Sequence, residues 1–160
     1  MCFIENFNSS RYYTFMTKVD DVSALFKKGY NCAQSLLAVY GSALGLDYET
    51  ALRIASGFGG GIVDKGDTCG AVSGAIMIIG LKHASADVNN EKAHAKTHDA
   101  ARQFIHTFTA RHNTTICRDL IGHDLSMHYD NNDSSDTDIF RKCPTFVQDA
   151  AEIVEEVLKN

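Results

Sequence analysis

Residues 67–84 read DTCGAVSGAIMIIGLKHA, and the fold turns on how this stretch is taken. Its apolar side chains fall on nearly every side at a helical period, and Asp67 or Thr68 opens it as a cap. A helix that is apolar nearly all round is covered by other helices, so the stretch predicts a central, buried helix. Gly70 and Gly74 stand one turn apart, as do Ala71 and Ala75, which lets a neighbouring helix approach closely. The apolar run 70–81 is far short of the roughly 20 residues that a spanning helix needs. It reads as a core helix.

The same helical period continues on both sides. Val22, Leu25 and Phe26 follow Thr17 and stop at Gly29. Asn31 caps a second helix running to about Leu44, and Asp47 a third carrying Leu52, Ile54 and Ala55. The third breaks at Gly57-Phe58-Gly59-Gly60-Gly61. After the central helix, 90–110 predicts a long helix with Ala101, Phe104, Ile105 and Phe108 as its apolar stripe. A short helix over 115–120 ends at Gly122, and 124–138 is a polar, acidic loop. The last helix starts at Pro144, a favoured first position, with Phe146, Val147, Ala150, Ile153, Val154 and Leu158 on one stripe. The expectation is an all-α, compact single-domain bundle of about six or seven helices. Residues 1–15 form a non-core N-terminal extension, with Met16 as the true start, and 16–160 form the domain.

Size and charge narrow the function. A chain of 160 residues with 44% hydrophobic and 22% charged residues is long enough for one real core and is not disordered in composition. Fifteen Lys and Arg against twenty Asp and Glu leave a net charge of −5, which argues against a general nucleic-acid binder. One proline and no tryptophan, with an alanine-rich interior, argue against a β-sandwich. The start of the chain lacks a basic segment, an apolar run and a small-residue cleavage site, so the expected location is cytoplasmic.

The chemistry lies in the cysteines at 2, 32, 69, 117 and 143. None forms a C-x-x-C pair, so zinc ribbons, thioredoxin-type motifs and covalent haem attachment all fail. Cys32 follows the cap residue Asn31, Cys69 follows Asp67-Thr68, Cys117 follows Thr114-Thr115, and Cys143 precedes Pro144. Four of the five thus fall at or beside a predicted helix N-terminus. Unpaired N–H groups and the positive end of the helix dipole lie there, and both favour thiolate over thiol. Four unrelated buried thiols remain the plain alternative. Cys2 has no such context.

The stretches GYNCAQSLL, SGFGGGI, TCGAVSGAIMIIGL, CRDLIG and KCPTFVQDAAEIVEEVL resemble, in order, those of the C-GCAxxG-C-C family. Its members are called redox-active largely because of four shared cysteines. The resemblance spans about Val19 to Leu158 and fills all four positions, at Cys32, Cys69, Cys117 and Cys143. Its central motif is here Cys69-Gly70-Ala71-x-x-Gly74, and the loop 123–138 is longer and more polar than the family pattern. The resemblance implies a small helical protein whose four cysteines bind an iron–sulfur cluster for electron transfer with an unidentified partner. Four thiolates are what such a cluster takes, and the glycine loop could add N–H donors to its sulfurs. The alternatives are a dithiol/disulfide oxidoreductase using the same residues, or a structural zinc site in a protein-interaction module. The apolar helix after Cys69 could also contribute to a homodimer face.

Weaker signals carry less. His94 and His98 have the spacing of a metal pair without the glutamate of H-E-x-x-H, and lie among Glu91, Lys92, Lys96 and Asp99 on a solvated face. His106, His112, His123 and His128 are scattered near Cys117 and the polar loop. Asp130–Asp136 lacks the turn glycine and final glutamate of an EF-hand. Tyr30 and Tyr40 flank Cys32 and are candidates to shield it.

Overall fold

The structure is a computed structural model, and it describes residues 17–125 and 139–159. The N-terminal extension with Met16 and Cys2, and the polar segment 126–138 with His128 and the calcium-like motif, lie outside the described residues. Seven α-helices follow one another among the described residues: α1 Lys18–Lys27, α2 Cys32–Ala43, α3 Tyr48–Ile54, α4 Gly70–His83, α5 Glu91–His112, α6 Cys117–Ile121 and α7 Cys143–Val157. A 3-10 turn, Ser56–Phe58, follows α3. The fold is all-α, as the periodicity predicts, and no described helix is long and apolar enough to cross a membrane.

Local chemistry sets most boundaries. Thr17 and Asp20 form a reciprocal capping box on α1, and Asn31 and Gln34 do the same on α2. Asp47 and Asn90 accept from the third backbone N–H beyond them and start α3 and α5. Asn113, left-handed at φ 66°, ends α5.

α4 is the central helix, packed against α2, α5 and α7. Gly70 and Gly74 face α2: a Cβ on Gly74 would lie 3.1 Å from the Ala33 Cα, and one on Gly70 would lie 3.2 Å from the Ala33 nitrogen and 2.7 Å from the Phe58 carbonyl oxygen. The small-residue face therefore serves close approach of α2 and α4. Val22, Leu36, Ile78, Ile79, Phe104, Phe108, Val147, Ile153 and Val154 are fully buried around it.

Three expectations need correction. α4 begins at Gly70 with Cys69 as its cap, not at Asp67 or Thr68. Those two residues are taken by a pairing with the segment before α6, through the antiparallel bridge Thr68–Ile116 and the Cys117 N–H donating to the Asp67 carbonyl at 2.6 Å. The same pairing holds Thr115 and Ile116 out of α6. Ile105, placed on the apolar stripe of the long helix, is 41% exposed; α5 buries only Phe104 and Phe108.

Candidate functional site

Cys32, Cys117 and Cys143 are the first residues of α2, α6 and α7, and Cys69 caps α4. Four helix N-termini therefore meet, each bringing one cysteine. All four are free thiols and buried, and all four line a single cavity of about 550 Å³.

Three devices bring them together. The close approach of α4 to α2 sets Cys69 beside Cys32; a Cβ on Gly70 would lie 3.2 Å from the Cys32 Cβ. The pairing of 66–69 with 115–118 sets Cys117 beside Cys69: the Cys69 N–H donates to the Thr115 carbonyl, and the Arg118 N–H to the Gly66 carbonyl. An Arg118–Asp67 ion pair at 3.2 Å flanks this pairing. α7 packs on α1, α2, α4 and α5, and its first turn, closed by the Cys143 N–H on the Phe140 carbonyl, delivers Cys143.

The sulfurs form a row of contacts, Cys117–Cys69–Cys32–Cys143. Hydrogen bonds from the Cys117 and then the Cys32 thiol hold Cys69 well below its ordinary value, helped by the N–H groups of Ala71 and Val72 and opposed by burial. The Cys32 thiol likewise lowers Cys143. Cys32 is pushed up by its contacts with Cys143 and Cys69 and by burial. Cys117 is pushed up by its contact with Cys69, by burial and by nearby negative charge, that of Asp64 included. Among the described residues, no group of three or more His, Cys, Asp or Glu side chains is placed so that it could hold a metal ion.

The glycine loop forms the opposite wall. Gly60, Gly61, Ile62, Val63 and Asp64 all have positive φ, and Gly59, Gly60, Val63 and Asp64 line the cavity. A Cβ on Gly61, at φ 71°, would fall 2.6 Å from the Cys117 Cβ. Asn31, besides capping α2, donates to the carbonyls of Ala55 at 3.2 Å and Ser56 at 3.0 Å and ties this wall to Cys32.

Sequence reasoning did not single out Asp64 or Phe140, which also line the cavity; no motif marks either. Tyr30 lines it as the shielding idea expected. Tyr40 does not: its hydroxyl donates to Glu155 at 3.0 Å on α7. His94 and His98 stack on each other with ring centroids 4.1 Å apart, away from the cysteines. His112 lies against Phe108, Phe146 and Asp149. Neither these nor His106 or His123 lines the cavity.

A family model described as "Putative redox-active protein (C_GCAxxG_C_C)" matches residues 30–157 and so takes in all four cysteines. No curated protein and no solved structure matches the chain.

Proposed function

The chain belongs to the C_GCAxxG_C_C family, and from that premise we propose that Cys32, Cys69, Cys117 and Cys143 are its redox centre and hold an iron–sulfur cluster for electron transfer. One observation carries the reading: four buried free thiols, delivered by four separate helix N-termini, share the wall of one cavity. Packing alone gives no reason for that coincidence. The donor set fits in kind and number, since such clusters take four thiolates, and a bound cluster would supply one-electron chemistry. The chain's own part is to hold the sulfurs, exclude bulk water and present N–H groups such as those of Ala71 and Val72, which favour the thiolate form. A reducing cytoplasm, the expected setting, keeps such thiols available. The electron partner is a separate protein or small molecule.

The row of thiol contacts supports a second reading. Two neighbouring cysteines can lose two electrons and two protons to an acceptor and close a disulfide, with Cys69 favoured as the thiolate. A structural zinc site would use the same thiols without redox change.

Protein purified without oxygen decides among these when its visible spectrum is read with iron, zinc and acid-labile sulfide on one sample. The cluster reading expects visible bands with matching iron and sulfide. It expects their loss on changing any one of the four cysteines to serine, and their retention in Cys2→Ser. A colourless, iron-free sample that resists reconstitution overturns it. Thiols lost on oxidation and regained on reduction would then favour the dithiol form, and zinc with no redox change a structural site.

A further inference from the structure

The thiols are 2–9% exposed, too deep for a sulfur on a docked protein surface to reach, yet all four face one cavity. At about 550 Å³ that cavity lies within the range of about 300–1,000 Å³ typical of small-molecule sites. Its lining also has a definite chemistry. Phe26, Tyr30, Phe140 and Phe146 supply aromatic surface, and Asp64 is the one charged side chain among the lining residues. Among the described residues no Lys, Arg or His lines it, and the Asp64 carboxylate disfavours the phosphates of a nucleotide cofactor or the carboxylates of an acidic peptide. Phe140 is 39% exposed and Val63 is 44% exposed, which gives the cavity an apolar mouth.

We propose that this cavity binds a small, uncharged, planar two-electron acceptor of the quinone class and passes it electrons from the neighbouring thiols. The inference rests on the second, dithiol reading of the four cysteines and excludes a cluster on the same thiols. The step balances with no further reagent: two neighbouring thiols join in one S–S bond, and their two protons and two electrons convert the quinone's carbonyl oxygens to the hydroxyls of the hydroquinone. Apolar burial and stacking on the aromatic side chains hold the ring.

Duroquinone is a suitable probe, because its fully methylated ring blocks addition of thiolates. Binding is measured by calorimetry on full-length Cys69→Ser, in which turnover does not obscure it, and hydroquinone formation on the reduced wild-type chain. The expected results are saturation at one equivalent, and one hydroquinone per disulfide formed, read by absorbance and by protein mass. Phe140→Ala, at the half-exposed mouth, should weaken binding roughly three- to ten-fold, the equivalent of one lost aromatic contact. Absence of saturable binding overturns the quinone site and leaves the thiol redox reading standing. Saturable binding without hydroquinone or disulfide overturns the electron transfer, and the dithiol reading with it. An unchanged affinity in Phe140→Ala overturns the placement of the ring in this cavity.

Discussion

Two glycines on the same helix should respond to alanine with opposite sign. Gly→Ala inside a helix is worth about 0.5–1 kcal/mol of stabilisation where space permits. At Gly80 nothing lies within 4 Å of the new Cβ, so the gain should appear undiminished. At Gly70 the methyl would lie 2.7 Å from the Phe58 carbonyl oxygen, with the Ala33 nitrogen and the Cys32 Cβ both at 3.2 Å. Two of these three are backbone atoms, which cannot swing aside as a side-chain end can. Overpacking of this kind costs about 1–3 kcal/mol, and Gly70, the first residue of α4, has little interior propensity gain to offset it, so Gly70→Ala should be destabilised by about 1–3 kcal/mol. With a urea slope of about 2 kcal/mol per molar, the midpoint should fall by about 0.5–1.5 M in Gly70→Ala and rise by about 0.3–0.5 M in Gly80→Ala. A second readout ties the packing to the site. Mild oxidation followed by peptide mass mapping should give less Cys32–Cys69 disulfide in Gly70→Ala than in wild type, with Gly80→Ala unchanged. Midpoints that move in the same direction, or unchanged crosslinking in a destabilised Gly70→Ala, would refute the argument that the glycines exist to bring α4 onto α2.

Asn31→Ala loses the α2 cap and two side-chain bonds to Ala55 and Ser56 and should cost about 1.5–3 kcal/mol in a denaturant melt. Asn31→Asp keeps the cap acceptor but not the donors and should recover roughly half of that; no recovery would mean the cap contributes little. The Thr17 N–H, and then its hydroxyl, holds the fully exposed Asp20 carboxyl below its ordinary value. A depressed folded pKa gives stability that is present above the unfolded value and lost as pH falls through the folded one. The urea midpoint of wild type should therefore exceed that of Asp20→Asn near neutrality and converge with it below about pH 4, whereas a gap that widens on acidification would contradict the capping box.

What was legible in the sequence is what is local. Thr17, Asn31, Asp47 and Asn90 each cap the helix that follows through bonds spanning three residues; Asn31 and Asp47 read as caps in the sequence, and Thr17 and Asn90 only as helix starts. Of the four cysteines, Cys32 owes its helix N-terminus to such a cap, Asn31, whereas α4, α6 and α7 start without a side-chain cap. Ile105 misled because a helical period says that a face is apolar without saying how much of it a neighbour covers. α5 turns Phe104 and Phe108 inward and leaves Ile105 to solvent. The pairing of Thr68 with Ile116 joins residues far apart in sequence, and no local pattern announces it.

The glycine loop was legible as a break and illegible as a structure, and the reason bears on the site. Ile62 and Val63 are β-branched and disfavour positive φ, yet both adopt it, with Asp64 after them. Such residues cost about 1–3 kcal/mol each and persist only where the surroundings impose them. Here the imposition is visible: the Val63 N–H reaches back to the Gly57 carbonyl, Gly66 to Gly60 and Asp67 to Gly61, while the carbonyls of Gly66 and Asp67 accept from Arg118 and Cys117. The loop thus clamps the start of α6, a helix of five residues that is too short to hold itself. Cys117 owes its place beside Cys69 to this clamp rather than to its own helix. Gly61 is indispensable there because it supplies the left-handed turn and also yields its Cβ space to the Cys117 side chain. The two glycine groups therefore answer one demand from two sides: Gly70 and Gly74 admit α2 with Cys32, and the loop delivers Cys117, so that both thiols reach the sulfur of Cys69.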